Sequence, residues 1–128
     1  MSFTFSKTTN HNFNDAVKAV TEELKKEGFG VITEIDLREK FKEKLGVDFH
    51  HYKILGACNP ALAYKAVQVE PNIGVMLPCN VLVQERENGE VEIAAINPLN
   101  SIGAIDNNHL QSLAKEVSDK LQAVMERM

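Results

Sequence analysis

Two cysteines and two of the four histidines lie in the stretch 49–83, and these residue types bind soft metals or act as nucleophiles. Cys58 and Cys79 are each followed by an asparagine, Asn59 and Asn80. Thiolates and imidazoles are the ligands that zinc prefers in proteins. We therefore take the two Cys-Asn pairs as a candidate ligand site, with zinc or another soft divalent metal as a candidate cofactor.

Cys58 is also the candidate catalytic residue. Asn59 is a favoured N-cap and Pro60 suits the first helical position, so Cys58 directly precedes a helix predicted over 61–69. The free N–H groups and the dipole at a helix N-terminus favour the thiolate, which predicts a nucleophilic or redox thiol. The alternative is that both thiols are buried and inert, because cysteine is among the most buried residue types. The sequence names no base for Cys58.

The candidate metal ligands His50 and His51 are held apart from the thiols by a strand predicted over 49–57. Eight residues at ~3.3 Å each place His50 ~26 Å from Cys58, and His51 points to the opposite face. Zinc ligands lie at ~2.0 to 2.3 Å from the ion, so a straight strand cannot give one ion both His50 and Cys58. Part of such a site would need a symmetric partner or a strand that ends before Cys58. Three alternatives stay open: a Cys58–Cys79 pair with a third ligand, a histidine site at a dimer interface, and local hydrogen bonding by both histidines.

Whether the thiols meet depends on the elements that follow the helix at 61–69. The apolar run 73–77 predicts a short buried strand, and Pro78 predicts an edge position or a bulge before strand 81–86. If strands 49–57 and 73–78 are parallel, both cysteines lie at carboxyl ends and can face each other. If these strands are antiparallel, we expect the thiols to separate.

The remaining elements follow from periodicity, caps and turn residues. The predicted order is β-α-β-α-β-α-β-β-β-α. Beyond the central stretch, the sequence predicts strands 3–7, 29–33 and 91–96 and helices 13–27 and 37–45, and the chain ends in a helix whose buried face is marked by Leu110, Leu113, Val117, Leu121 and Val124.

The pair Asn88-Gly89 predicts a type I′ hairpin between strands 81–86 and 91–96. A two-residue loop at this point sets Gln84 opposite Ile93. The same register sets Glu85 opposite Glu92, which is an unfavourable like-charge pair unless a cation lies nearby.

The paired segments YKILGACNPALAYKAV and IGVMLPCNVLV resemble the hallmark of the family catalogued as domain of unknown function 302. The likeness spans essentially the whole chain, from the helix at Phe13 to the last helix. It implies an α+β fold of two layers, in which helices back an antiparallel, possibly mixed, sheet of the TATA-binding-protein-like type. It also implies a homodimer. The resemblance implies no activity and supplies no catalytic residues.

Length and composition predict one soluble domain over residues 1–128. The net charge of −4 and the lack of a basic cluster argue against nucleic acid as a partner. The N-terminal MSFTFSKTT has no basic and apolar signal regions, and no window approaches ~20 apolar residues, so we expect no membrane span. A cytoplasmic location follows as an expectation, and there the thiols would be reduced.

Three functions are compatible with these patterns. The first is a small homodimeric binding protein of unknown ligand, with its site around the two Cys-Asn pairs. The second is a thiol-dependent enzyme or redox protein that uses Cys58. The third is a structural or protein-interaction subunit, whose contact would be the exposed sheet face or the basic helix 37–45.

Overall fold

The computed structural model describes residues 2–128, which form one five-stranded sheet and four α-helices. The strands are β1 (Thr4–Thr9), β2 (Gly30–Asp36), β3 (Tyr52–Cys58), β4 (Cys79–Glu85) and β5 (Val91–Ile96). The helices are α1 (Phe13–Lys26), α2 (Leu37–Leu45), α3 (Pro60–Val69) and α4 (Asn108–Glu126), and short 3₁₀ helices cover Pro71–Met76, Pro98–Asn100 and Ile102–Ala104.

All neighbouring strands are antiparallel, in the order β1-β5-β4-β3-β2. Helices α1 and α4 cover one face of the sheet, where fully buried Leu24 and Leu121 pack against Leu55, Val83 and Ile93. This arrangement confirms the predicted α+β class with two layers. None of the helices formed by the described residues is long and apolar enough to cross a membrane.

The predicted helix starts are confirmed by their capping bonds. The side chain of Asn12 accepts a hydrogen bond from the Asp15 N–H at 2.9 Å, and Asp36 accepts one from the Glu39 N–H at 3.0 Å. These bonds satisfy backbone donors that have no partner inside the helix. Short polar residues placed before an apolar stripe therefore predict helix starts from local chemistry alone.

The predicted strand at 73–77 is wrong, because residues 73–76 belong to the 3₁₀ helix Pro71–Met76 and Leu77 caps its end. The Glu70 carboxylate accepts a hydrogen bond from the Asn72 N–H at 2.7 Å and starts the helix. Only Ile73 is buried, whereas Val75 is 90% exposed, so the run lacks the two buried faces of a central strand. The next strand begins at Cys79, and the predicted order loses one strand.

The loop between β4 and β5 has three residues, 87–89, where the sequence predicts two. The Arg86 N–H donates to the Glu90 carbonyl at 2.7 Å, and the Gly89 N–H donates to the Arg86 carbonyl at 2.9 Å. Gly89 has φ +86°. Within residues 2–128 only glycines have a positive φ, so the φ of Asn88 is negative. A type I′ turn requires positive φ at both central residues, so the prediction of this turn is wrong.

The three-residue loop shifts the register of β4 and β5 by one position. Gln84 lies opposite Glu92, and Val83 lies opposite Ile93. In the predicted register the buried side chains of Val83 and Ile93 would not face each other, because a shift of one residue turns a strand over. The burial of Val83 and Ile93 therefore determines the register of β4 and β5. In this register Glu92 does not face Glu85 and forms an ion pair with the guanidinium of Arg86 at 3.0 Å.

Candidate functional site

Strands β3 and β4 bring the two cysteines to the same end of the sheet. β3 ends at Cys58, β4 begins at Cys79, and Ala57 lies opposite Cys79 in the antiparallel pair. The expectation that antiparallel strands separate the thiols is wrong. It assumed that each cysteine ends a strand, whereas one ends a strand and the other begins its neighbour.

Both cysteines line a cavity of about 250 Å³ between this end of the sheet and helices α3 and α4. Apart from the Asn59 side chain and the two thiols, the side chains of its walls are hydrocarbon. The walls are formed by Phe29, Ile32, Ala57, Cys58, Asn59, Leu62, Ala63, Ala66, Leu77, Pro78, Cys79, Ile102, Leu113, Ala114 and Val117.

The cavity exists because alanines stand where the core elements meet. Ala57 belongs to the main core cluster, whereas Ala66 and Ala114 belong to a second cluster formed by α3, α4 and the 3₁₀ segments. Alanine side chains are too short to fill the gap between two packed clusters. An apolar space of about 150 Å³ is enough to hold benzene, so this cavity is large enough for a small molecule.

The two thiols differ in exposure and in acidity. Cys79 is only 6% exposed, and burial raises its pKa from 9.0 to about 11, with a smaller contribution from the neighbouring Cys58 thiol. Cys79 is therefore protonated at neutral pH and a poor nucleophile. Cys58 is half-buried on the cavity wall.

Asn59 uses its side-chain amide within the fold. The Oδ1 atom accepts from the Leu62 N–H at 3.3 Å, which caps α3. The Nδ2 atom donates to the Glu27 carbonyl at 3.3 Å, just beyond the end of α1. An added Cβ at Gly28 would lie 3.1 Å from Nδ2, so the glycine leaves room for this bridge. Asn59 thus positions α3 rather than presenting a free group to the cavity.

We expect Asn59→Ala to lower the free energy of unfolding by about 1 to 2 kcal/mol, because both the α3 cap and the bridge to Glu27 are lost. Asn80→Ala is the matched control, since Asn80 is exposed, and we expect it to change stability by less than about 0.5 kcal/mol. Urea denaturation measures both variants. Equal stability of the two would contradict the bridging role of Asn59.

The structure does not place Asn80 with the other three predicted site residues. It lies in β4 opposite Gly56, exposed, and contributes to a separate hollow beyond Pro78. Cys58, Asn59 and Cys79 therefore share one cavity, and Asn80 lies outside it.

The two histidines lie just before β3, at the opposite end of that strand from Cys58. His50 Nε2 lies 3.2 Å from the Gln84 Oε1, and the His51 ring stacks on Phe13 at 4.9 Å. Each histidine therefore has local partners. Within residues 2–128 no group of three or more His, Cys, Asp or Glu side chains could hold a metal ion, so the cysteine pair gains no third ligand there.

Sequence reasoning missed most of the cavity wall. Its main contributors are alanines and leucines, which carry no chemical signal of their own. The alanine-rich run ALAYKA in α3 was the available clue, because small residues on a helix leave space wherever a second helix crosses it.

Comparison with known proteins confirms the family resemblance over nearly the whole chain. A family model described as Domain of unknown function DUF302 matches residues 5–128. The crystal structure of the uncharacterized conserved protein DUF302 from Bacillus stearothermophilus superposes with a TM-score of 0.91. The two proteins share 30% sequence identity over 99% of this chain and 98% of that chain. No curated protein matches this chain.

Proposed function

Since the chain belongs to the DUF302 family, whose description assigns no activity, we propose its function from the site alone: it binds a small apolar molecule in the Cys58 cavity and catalyses no reaction on it. The observation that carries this proposal is an apolar cavity of about 250 Å³ at the meeting point of the two core clusters. Concave pockets with mostly apolar walls are the usual binding places of small molecules in proteins, and almost all side chains that line this pocket are hydrocarbon.

Two observations favour binding over thiol catalysis. A thiol nucleophile needs a base within hydrogen-bond reach, yet none of the residues that line the cavity is a histidine, aspartate, glutamate or lysine. The second thiol, Cys79, cannot act as that base, because its raised pKa keeps it protonated. A soft metal ion is likewise not favoured, since two thiols alone do not complete a zinc site. We also propose a cytoplasmic location, in which both thiols stay reduced.

The test uses toluene as the probe and a variant that plugs the cavity. Ala63 lines the cavity and is only half-buried, so Ala63→Phe fills the space with little disturbance of the core. Ala61→Phe is the matched control, because Ala61 is exposed on the same helix and does not line the cavity. We expect toluene to raise the melting temperature of the wild type and of Ala61→Phe, since a ligand that binds only the folded state stabilises it.

The same stabilisation is expected to be absent in Ala63→Phe, where the ring occupies the binding space. Calorimetric titration with toluene should agree, with heat of binding for the control and none for the plugged variant. An unshifted wild type, or an equal shift in Ala63→Phe, would contradict binding in this cavity.

We further propose that the protein acts as a homodimer through α2 and the segment after it. Helix α2 has nine residues and fully buries none of them, although half-buried Phe41 meets Phe49 edge to face at 5.1 Å. A helix this short depends on packing for its stability, and α2 has little of it within the chain. Leu45 is 70% exposed, and Val47 and Phe49 continue the exposed apolar surface. A second copy of the chain is the occupant that we propose for this surface.

Charge supports the second copy as the partner of α2. Four basic and two acidic side chains give α2 a net charge of +2, which leaves −6 on the rest of a chain whose total is −4. The net-basic helix of one copy is therefore attracted to the net-acidic remainder of the other copy, and such attraction speeds association.

The dimer is tested by light scattering coupled to size-exclusion chromatography. We expect a dimeric wild type and a monomeric Leu45→Glu variant, because a buried unpaired carboxylate destabilises an interface. Val75→Glu introduces the same charge at a side chain that is 90% exposed and lies far along the chain from α2, and it should stay dimeric. A monomeric wild type would exclude this dimer and favour a different protein as the occupant.

A further inference from the structure

The Cys79 side chain points from the sheet towards the helices and lines the Cys58 cavity. Side chains alternate between the two faces of a strand, and Cys79 shares its face of β4 with Val81 and Val83, which are buried under the helices. Cys79 is itself only 6% exposed and belongs to the cavity wall. Its thiol is therefore shielded from solvent and is open to a molecule in the cavity.

The Cys79 thiol is a buried donor without a hydrogen-bond partner among residues 2–128. It stays protonated at neutral pH, because burial raises its pKa to about 11. The amide of Asn59, which also lines the cavity, is already engaged with Leu62 and Glu27. A thiol is a weak donor, and a buried donor without an acceptor is unfavourable. A ligand that accepts from this S–H group is therefore preferred over one that does not.

The Phe29 ring is a second feature of the same wall. Phe29 lines the cavity and is only 3% exposed. The aromatic pairs formed within residues 2–128 involve other rings, so Phe29 has no aromatic neighbour there. Two aromatic rings attract each other beyond the burial of their surfaces when their centroids lie about 4.5 to 7 Å apart. An aromatic ligand gains this attraction, whereas an aliphatic ligand of the same size does not.

An aromatic ring combines with both features and suits the hydrocarbon walls. Its π electrons interact favourably with a thiol, and it packs on another ring without bringing a polar atom into the cavity. We propose that the ligand carries an aromatic ring, which lies in the Cys58 cavity in contact with the Cys79 thiol and the Phe29 ring. This inference rests on the proposed binding function and names the chemical class of its ligand. Benzene fits a cavity of about 150 Å³, so about 250 Å³ holds one ring with a small substituent.

The first experiment compares calorimetric affinities for toluene and methylcyclohexane, which share a carbon skeleton and differ in aromaticity. Cys79→Val removes the thiol and nearly keeps the volume of the side chain. We expect this variant to bind toluene about twofold to tenfold more weakly than the wild type does, the range of one sulfur–aromatic contact. Its affinity for methylcyclohexane should be unchanged, and that measurement also reports that the variant is folded.

The contact with Phe29 is tested by Phe29→Leu, which replaces the ring by an aliphatic side chain. We expect the ratio of toluene to methylcyclohexane affinity to fall about twofold to tenfold, the range of one aromatic pair. Phe5→Leu is the matched control, because Phe5 packs against the same core cluster and does not line the cavity. The ratio in Phe5→Leu should equal that of the wild type.

The S–H stretching band in the Raman spectrum reports the thiol contact directly. Cys58→Val leaves Cys79 as the only thiol of the chain, so the band belongs to one residue. We expect toluene to move this band to a lower wavenumber, because the ring accepts from the S–H group. Methylcyclohexane offers no acceptor and should leave the band in place.

The outcomes separate the aromatic ligand from the binding function. If both compounds bind and Cys79→Val and Phe29→Leu weaken them equally, the aromatic class is overturned while the binding cavity stands. An S–H band that toluene does not move, although toluene binds, overturns the thiol contact. If neither compound binds the wild type, the binding function falls and this inference falls with it.

Discussion

Gly56→Ala is expected to lower the free energy of unfolding by about 1 to 3 kcal/mol, the range seen when a methyl group is forced into a filled space. Gly56 lies in the middle of the sheet, between β2 and β4. The place of its missing side chain is occupied by the Thr33 hydroxyl and by the Pro78 ring, whose Cγ would lie 2.8 Å from an added Cβ. The proline ring cannot rotate away, so the backbone has to move.

Gly30→Ala is the matched control for Gly56→Ala. Gly30 lies in β2 opposite Cys58, no atom beyond its two chain neighbours lies within 4 Å of a Cβ added there, and its φ is not positive. We expect Gly30→Ala to leave the free energy of unfolding unchanged or to raise it slightly, since alanine reduces the conformational freedom of the unfolded chain. Urea denaturation compares the two. Equal stability of both variants would contradict the crowding that we assign to Gly56.

Between pH 9 and pH 11 we expect the free energy of unfolding of Cys79→Ala to fall by about 2 kcal/mol less than that of the wild type. In the folded protein burial raises the thiol pKa to about 11, whereas in the unfolded chain it ionises near its ordinary value of 9.0. Between these values the unfolded state binds fewer protons than the folded state, so stability falls as pH rises. Below pH 9 the contribution of the buried thiol is fully present.

The measurement is urea denaturation at pH 8 and at pH 11 for the wild type, Cys79→Ala and Cys58→Ala. Other groups also titrate in this range, so the informative quantity is the difference between the losses of the wild type and of each variant. The core defect left by Cys79→Ala is present at both pH values and cancels. An equal loss in the wild type and in Cys79→Ala would show that the thiol ionises alike in both states.

The features that the sequence predicts well are those fixed by a few neighbouring residues. Asn59 and Pro60 start α3, and Gly46 ends α2 with φ +67°, as capping chemistry requires. The family resemblance, confirmed by a match over residues 5–128, agrees with the α+β layers. Local capping chemistry and the family resemblance thus predict the order of the elements apart from the strand at 73–77.

The predictions that fail depend on contacts between distant residues. The apolar run at 73–77 does not reveal that Val75 faces solvent while Ile73 is buried. The Asn88-Gly89 pair favours a two-residue loop, but burial of Val83 and Ile93 requires another register. The cavity is harder still to predict, because its alanines belong to β3, α3 and α4 and line a common space only when these elements pack together.

The strand order has a consequence for synthesis on the ribosome. Strands β2 to β5 are neighbours in both sequence and space, whereas β1 pairs with β5, with Thr9 opposite Val91. Strand β1 leaves the exit tunnel before the other four strands, and it finds its partner only after all of them have followed. Because pairing between such distant segments forms slowly, we expect the nascent chain to fold as a four-stranded meander and β1 to complete it last.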